Sequence, residues 1–248
     1  MKWRIVGLEA HDAYFNMAID EVLLERVKDR LSPPTIRFYR WSPSAVSIGR
    51  FQSMEEEVNI EKCRELGVDY VRRITGGGAV YHDGNGEITY SLIAPESEFP
   101  KGIRESYMEI CKPIIEGLTY LGIDSEFAPI NDIVANGRKI SGNAQTRRGG
   151  ILLQHGTVLY SLDIRRMFSL LNVSKEKISD KMIKNVEDRV TSVSAFGDFS
   201  LNRLYGALLE SFMKNRECEF GMWSRDEIES AEKLRIGIYG TRKWNFSR

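Results

Sequence analysis

The spacing of apolar residues in the first quarter of the chain predicts one helix followed by strands. Between residues 15 and 30, apolar side chains recur every three or four positions behind Asp12, which is typical of a capped amphipathic helix. Residues 35–39 and 45–51 are short runs rich in β-branched and aromatic residues, which predicts two strands around a turn. Residues 55–66 return to helical spacing and predict a second helix.

The middle of the chain alternates between strand and helix patterns. Residues 69–74 and 87–94 predict strands on either side of a glycine-rich segment. Residues 107–121 have helical spacing, but Pro113 conflicts with an unbroken helix and predicts a kink or a later start.

Residues 133–140 carry the best short hairpin signal in the chain, two alternating runs joined by Asn-Gly. A two-residue turn fixes the register of the two strands. It places Asp132, Val134, Lys139 and Ser141 on one side of the ribbon, with the acid and the cation meeting diagonally.

Strands are expected mainly before residue 160 and helices after residue 163. Residues 151–160 predict one more strand. Helical spacing follows in residues 164–171, 175–184, 201–214 and 226–234. Because strands and helices are segregated, we expect an α+β fold with a mixed or antiparallel sheet flanked by helices, rather than a doubly wound sheet. No internal boundary is visible, so residues 1–248 are expected to form a single domain.

Composition removes several classes of function. The chain has 35 Lys and Arg residues against 35 Asp and Glu residues, so it lacks the overall positive charge of a general nucleic-acid binder. No apolar run is long enough for a membrane span and no signal peptide is visible, so we expect a cytoplasmic protein that does not bind membranes. Charge is nevertheless segregated locally, because residues 133–162 hold four basic residues and no acidic one. That window either focuses potential toward an anion or is a solvated surface.

The glycine triplet at residues 76–78 is difficult to explain by folding alone, because each glycine weakens regular structure. It follows Arg72 and Arg73, and together these groups could surround an anion. A plain glycine-rich turn with two surface arginines is the alternative, and the triplet fits neither the Walker nor the dinucleotide-binding pattern. Lys139 is followed by small residues and could act as a point charge on an acyl carboxylate or a phosphate.

Cysteine and histidine give weaker signals. Cys63 and Cys111 fall on apolar faces of predicted helices and Cys218 in a late loop, and all three are expected to be free. Taken alone, His155 is more easily explained as a hydrogen-bonded core residue, and His82 with its neighbour Asp83 as part of a turn.

Several motifs together resemble the catalytic domain of the lipoate-protein ligase A family, whose superfamily includes biotin-protein ligase and octanoyltransferase. They are RRITGGGAVYHD at residues 72–83, NDI at 131–133, GRKISGNA at 137–144, QHGTVL at 154–159 and WN at 244–245. The resemblance implies the biotin/lipoate-protein ligase catalytic-domain fold.

The resemblance further implies a two-step reaction. Lipoate and ATP, with Mg²⁺, would give lipoyl-AMP, and the lipoyl group would pass to a lysine of a lipoyl domain in a 2-oxoacid dehydrogenase E2 subunit or of the glycine-cleavage H protein. Lys139 would be catalytic, and Asp132 could hold the Mg²⁺. The residues implied to bind ATP or lipoyl-AMP are Arg72, Arg73, Gly76, Gly77, Gly78, Ala79, Val80, Tyr81, His82, Asp132, Lys139, Ser141, Gly142, Ala144, His155 and Gly156.

Two departures from the family pattern set the remaining expectations. Single-chain members continue past the WN motif into a C-terminal accessory domain, which is expected to be absent here, and a separate small accessory protein is expected to assist adenylation. The alternative is an octanoyl or lipoyl transferase that uses a preformed acyl donor. Related transferases carry a nucleophilic cysteine just ahead of the NDI position, whereas residues 127–131 contain none, which favours the ligase.

Overall fold

The computed structural model describes residues 1–172 and 180–248. In chain order the strands are β1 (Trp3–His11), β2 (Thr35–Trp41), β3 (Ala45–Ile48), β4 (Asp69–Arg72), β5 (Val80–His82), β6 (Glu87–Pro95), β7 (Glu126–Ala128), β8 (Asp132–Ala135), β9 (Arg138–Arg148), β10 (Ile151–Leu159) and β11 (Cys218–Phe220). The α-helices are α1 (Ala13–Lys28), α2 (Met54–Glu57), α3 (Ile60–Glu65), α4 (Ile103–Tyr120), α5 (Ile164–Leu170), α6 (Asp180–Glu187), α7 (Leu201–Met213), α8 (Arg225–Leu234) and α9 (Arg242–Asn245).

Eight strands form one sheet in the order β11-β1-β2-β6-β10-β9-β8-β7. Strand β1 runs parallel to both of its neighbours, whereas the other pairs are antiparallel, so the sheet is mixed. Three further strands form a small sheet in the order β4-β3-β5. Helices flank the sheets, which confirms the expected α+β class. Strand β11 belongs to the later part of the chain, and Cys218 lies in it rather than in the expected loop.

Helices cover both faces of the large sheet. Helix α1 begins at Asp12, whose carboxylate accepts a hydrogen bond from Phe15 N at 2.8 Å, so the predicted cap is confirmed. Its apolar face packs with α8 on one side of the sheet, while α4 and α7 pack on the other. Within residues 1–172 and 180–248, no helix combines the length and apolarity needed to cross a bilayer.

Two helix predictions need correction. Residues 55–66 form two helices rather than one, because Asn59 leaves the helical path and its side chain caps α3 by accepting from Lys62 N at 3.1 Å. Helix α4 contains Pro113 in its interior, since the packing of α4 on α7 outweighs the local preference. The predicted helix at 175–184 lies partly outside the described residues.

The Asn-Gly hairpin is present, but its register changes one residue after the turn. Val134 pairs with Lys139 as predicted, whereas Ile133 pairs with Ser141 and Asp132 with Gly142. The expectation that Ser141 shares the side of Lys139 is therefore wrong. The physical reason is a bulge at Ile140, because one extra residue in β9 reverses the alternation of every side chain beyond it.

Candidate active site

A cavity of about 380 Å³ lies where the glycine-rich segment, β9 and β10 meet. One part of its wall is apolar and comes from the end of β10, from the segments around α5, and from α6 and the residues that follow it. Its members are Leu159, Leu162, Ile164, Met167, Leu171, Val186 and Val190. Another part of the wall is polar and includes Arg73, His82, Lys139 and His155. Such a cavity suits a molecule with an apolar tail and a polar or charged head.

Most of the residues expected at the site come together in this cavity. Those that line it are Arg73, Gly77, Gly78, Ala79, Val80, Tyr81, His82, Lys139, Gly142, Ala144, His155 and Gly156. Four others, Arg72, Gly76, Asp132 and Ser141, are not part of the wall. The glycine segment and the lysine after the hairpin turn, although about sixty residues apart in the chain, therefore face the same space.

Arg73 shapes the glycine segment from inside. Its Nη2 donates to Gly76 O at 2.8 Å and to Gly78 O at 2.7 Å, and its Nη1 donates to Ser47 Oγ at 3.0 Å. Gly77 has φ +97°, and a Cβ there would lie 2.8 Å from Arg73 Nη2, so glycine is required. Burial lowers the pKa of Arg73 to about 10, which leaves the guanidinium charged at neutral pH.

Arg72 has a different role from the one expected for it. Its side chain is fully buried and donates to main-chain carbonyls, including Gln52 O at 2.6 Å and Asn245 O at 2.9 Å. In return, Trp244 Nε1 donates to Arg72 O at 2.8 Å. The terminal Trp-Asn pair is thus docked on β4, and Arg72 is used to hold it there instead of facing the cavity.

Lys139 is held at both its main chain and its side chain. Its N–H donates to Arg189 O at 2.8 Å, and its carbonyl accepts from Thr191 N at 2.8 Å. Its Nζ lies 2.7 Å from Asp132 Oδ1. A Cβ at Gly142 would come within 2.8 Å of the same Nζ, so the absence of a side chain there makes room for the lysine.

The basic residues of segment 133–162 do not form one positively charged surface. Arg147 donates to Lys101 O at 2.9 Å and to Ser106 Oγ at 2.8 Å, while Arg148 pairs with Glu21 at 3.4 Å. Of these basic residues, only Lys139 lines the cavity.

His82 links a carboxylate to a hydroxyl, an arrangement that the sequence pattern does not predict. Its Nδ1 lies 2.7 Å from Glu87 Oε1 and its Nε2 lies 2.8 Å from Ser47 Oγ, with all three residues buried. Its neighbour Asp83 accepts from Asn85 N at 2.9 Å, which is the turn role expected of that residue. Two signals pointed to this group: the short turn that returns the chain from residue 82 to 87, and a serine within an apolar strand.

His155 occupies a second, similar position. Its Nδ1 lies 3.1 Å from Asp20 Oδ2 and its Nε2 lies 2.7 Å from Thr75 Oγ1. Arg37 Nη1 also donates to Asp20, at 3.0 Å. Burial lowers the pKa of His155, and although burial alone would raise the pKa of Asp20, the hydrogen bond from His155 and the charge of Arg37 lower it. His155 is therefore a neutral, hydrogen-bonded histidine at neutral pH.

The three cysteines do not contribute to the cavity wall. Cys63 and Cys111 are buried on their helices as predicted, and burial raises their pKa values to about 11 and about 12. Burial also raises the pKa of Cys218, which lies in β11 at the opposite edge of the large sheet. None of them has the lowered pKa of a nucleophilic thiol.

The residues present do not fit a protein-held Mg²⁺ site. Among the described residues, no three His, Cys, Asp or Glu side chains are grouped so that they could hold a metal ion. Asp132 lies against the ammonium group of Lys139 instead.

Comparison with known sequences corrects the expected reaction. The chain is 34% identical to the octanoyltransferase LipM of Anoxybacillus flavithermus, over 99% of this chain and 98% of that protein. Further LipM octanoyltransferases match it at 33% and 32% identity over nearly their whole length. The expectation of an ATP-dependent, adenylate-forming lipoate-protein ligase is therefore wrong. The preference for the ligase over the transferase rested on the missing thiol, although a hydroxyl beside a histidine can also serve as a nucleophile.

Solved structures place the fold in the same superfamily. The bipartite lipoate protein ligase of Thermoplasma acidophilum, described with its E2 lipoyl domain, has a TM-score of 0.87 and 30% identity, covering 99% of this chain and 96% of that one. A lipoate-protein ligase A bound with ATP has a TM-score of 0.84 and 28% identity, covering 99% of each chain. The sequence profile of the lipoyl protein ligase A/B catalytic domain matches residues 12–213. The chain therefore belongs to the lipoyl protein ligase A/B catalytic-domain family.

Proposed function

We propose that this protein transfers an octanoyl group from a preformed thioester donor to a lysine of a lipoyl domain. The observation that carries the proposal is its full-length similarity to octanoyltransferases, combined with a cavity that has one apolar wall and one cationic wall. The acceptor follows from the related archaeal ligase, which was described with an E2 lipoyl domain. The H protein of glycine cleavage is the second acceptor of the same chemical kind.

In this proposal, the apolar wall binds the acyl chain. Its leucine, isoleucine, methionine and valine side chains offer no hydrogen bond, so they favour a saturated chain by removing it from water. Each buried methylene contributes about 0.8 kcal/mol, so a chain of octanoyl length binds far more strongly than a short acyl group.

In this proposal, Lys139 stabilises the negative charge that develops during transfer. Attack on a thioester carbonyl places negative charge on its oxygen, and a fixed cation beside that oxygen stabilises the transition state. Asp132 positions the lysine, as does the main-chain pairing of Lys139 with Arg189 and Thr191. The reaction requires neither ATP nor Mg²⁺, and an accessory subunit for adenylation has no role in it. In this proposal residues 1–248 act as one catalytic domain, in the cytoplasm.

The direct test supplies both possible acyl sources. The full chain is incubated with a lipoyl domain and either octanoyl carrier-protein thioester alone, or free octanoate or lipoate with ATP and Mg²⁺. Intact-mass spectrometry of the lipoyl domain then shows whether its lysine is modified. We expect octanoylation from the thioester without ATP. Modification only from the free acid with ATP would contradict the proposal.

The substitution Lys139→Ala tests whether the positive charge of Lys139 contributes to transfer. We expect transfer to slow by about a hundredfold to a thousandfold, the usual cost of removing one group that stabilises a developing oxyanion. The free energy of unfolding should change by less than about 1 kcal/mol, because the ion pair is partly exposed. Lys62→Ala is the matched control, since Lys62 forms a partly exposed ion pair with Glu65 outside the cavity. Unchanged transfer by Lys139→Ala would remove Lys139 from the mechanism.

A further inference from the structure

Octanoyl transfer through an acyl-enzyme needs a nucleophile at the cavity, and the three cysteines of this chain lie elsewhere. Ser47, His82 and Glu87 do line the cavity, and they form a continuous hydrogen-bonded row. We propose that Ser47 is the nucleophile that carries the octanoyl group, with His82 as its general base and Glu87 as the group that orients the histidine. This inference rests on the proposed function.

The row has the geometry that an activated serine requires. Ser47 Oγ lies 2.8 Å from His82 Nε2, and Glu87 Oε1 lies 2.7 Å from His82 Nδ1. With Nδ1–H donated to the carboxylate, Nε2 is left as the acceptor that takes the hydroxyl proton. Both distances fall within hydrogen-bond reach, and each ring nitrogen has a different partner.

The surroundings hold each member in place. The ring of His82 stacks on Trp41, with centroids 4.0 Å apart and an interplanar angle of 16°. Trp41 Nε1 donates to Thr89 Oγ1 at 2.8 Å, and Thr89 Oγ1 donates to Glu87 Oε1 at 2.9 Å. Indole, threonine and carboxylate thus support the imidazole from two sides, which is the preorganisation that a general base needs.

A cation lies beside the attacking oxygen. Arg73 Nη1 donates to Ser47 Oγ at 3.0 Å and to Ser47 O at 3.2 Å. The guanidinium favours the alkoxide character that Ser47 Oγ gains as its proton leaves. Arg73 also holds the glycine segment, so the activation of the serine and the shape of the cavity depend on one side chain.

The chemical steps balance without any further reactant. Ser47 Oγ attacks the thioester carbonyl, its proton passes to His82 Nε2, the C–S bond breaks, and the thiolate leaves with that proton. The neutral lysine amine of the lipoyl domain then attacks the serine ester. Its proton passes to His82 Nε2, the C–O bond to Ser47 breaks, and Ser47 Oγ recovers the proton. The products are a thiol, an amide and the unchanged serine.

Trapping the intermediate tests the inference. The full chain is incubated with octanoyl carrier-protein thioester in the absence of a lipoyl domain, and its mass is measured intact and after digestion with trypsin. We expect one octanoyl group on the peptide of residues 41–50, located at Ser47 by fragmentation. The bond should resist neutral hydroxylamine, as an ester does and a thioester does not. An octanoyl group on any cysteine, or the absence of a covalent intermediate during active transfer, overturns the inference.

Substitutions separate this inference from the proposed function. Ser47→Ala should lower transfer by about a thousandfold or more and abolish trapping, because the nucleophile is lost. Ser47→Cys should restore trapping as a thioester that neutral hydroxylamine cleaves, which also shows that the substituted chain folds. Ser44→Ala, in the same peptide, and the combined alanine substitution of Cys63, Cys111 and Cys218 are the controls and should transfer within about threefold of wild type. Normal transfer by Ser47→Ala overturns the serine intermediate alone, whereas no transfer by the wild-type chain overturns the proposed function.

Discussion

The described part of the chain holds two carboxylate–histidine–hydroxyl rows, and they differ in whether the hydroxyl belongs to the cavity wall. Glu87, His82 and Ser47 form the first row, which we call the Ser47 row. Asp20, His155 and Thr75 form the second, the Thr75 row. The distances are similar, because each histidine binds a carboxylate through Nδ1 and a hydroxyl through Nε2. Hydrogen-bond geometry alone would therefore not distinguish a catalytic group from a structural one.

The difference lies in what surrounds the two ends of each row. Both hydroxyl residues are buried, but Ser47 belongs to the cavity wall and Thr75 does not. At the other end, Asp20 is shared between its histidine and the buried cation Arg37, whereas the contacts of Glu87 are His82 and Thr89. Two features therefore assign the Ser47 row to catalysis. Its hydroxyl belongs to the cavity wall, and, among the described residues, the contacts of its carboxylate Glu87 include no cation.

Among the substitutions at Glu87, Asp20 and Thr75, Glu87→Gln should lower the rate of transfer the most. Glutamine still accepts from His82 but does not stabilise the imidazolium, so we expect transfer to fall by roughly a thousandfold or more. The free energy of unfolding should change little, because the amide keeps the shape of the carboxylate. Glu9→Gln is the control, since Glu9 also lies beside a histidine, His11, but outside the cavity. Comparable transfer by both variants would remove the distinction between the two rows.

Asp20→Asn should chiefly affect stability. Arg37 would be left as a buried cation without its carboxylate, which costs about 3–5 kcal/mol of unfolding free energy. Urea denaturation measures that loss, and transfer by the folded fraction should remain within about tenfold of wild type. The double variant with Arg37→Met should regain part of the lost stability, because the unpaired charge is gone. A stable Asp20→Asn variant that has lost transfer would assign catalysis to the Thr75 row instead.

Thr75→Val compares the two hydroxyl ends directly. Valine has the shape of threonine but leaves His155 Nε2 without its partner, so we expect a loss of about 1–3 kcal/mol in the free energy of unfolding. Transfer should stay within about tenfold of wild type, in contrast to Ser47→Ala. Thr119→Val is the control, because Thr119 is exposed and its stability effect should stay within about 0.5 kcal/mol. Transfer that falls as far as in Ser47→Ala would contradict the buried, structural role of Thr75.

The sequence predicted the site well where a local pattern determines geometry. The Asn-Gly turn placed Lys139 next to Asp132, and the glycine triplet required a close approach that Gly77 and Arg73 supply. The sequence failed to predict features that no local pattern marks. The extra residue at Ile140 leaves no mark in the hydrophobic pattern, yet it turns Ser141 away from Lys139.

The twin arginines and the Ser47 row show the same limit. Arg72 and Arg73 are adjacent and chemically identical, but β4 ends at Arg72, and one side chain faces the docked C-terminal segment while the other faces the cavity. Ser47 and His82 belong to β3 and β5, which are separated in the chain by two helices, β4 and the glycine triplet, and no spacing rule joins them. Only the pairing of β3 with β5 brings them together, so the absence of a cysteine near the NDI motif does not predict whether a hydroxyl lies beside a histidine in the cavity.

The smallest expected effect is on the pH dependence of the free energy of unfolding. It distinguishes the Thr75 row from the Ser47 row without an activity measurement. Burial lowers the pKa of His155 in the folded state, so below the unfolded value near 6.5 the unfolded chain binds a proton that the folded chain does not. Stability should therefore fall as the pH decreases from 7 to 5, by at most about 1.4 kcal/mol per pH unit from this group. Urea denaturation of wild type and His155→Gln over that range measures the contribution. The variant should be less stable at pH 7 but show a shallower decline, because glutamine does not titrate. Parallel curves for the two proteins would mean that His155 is not held neutral by its surroundings, and the Thr75 row would lose its description as a fixed structural element.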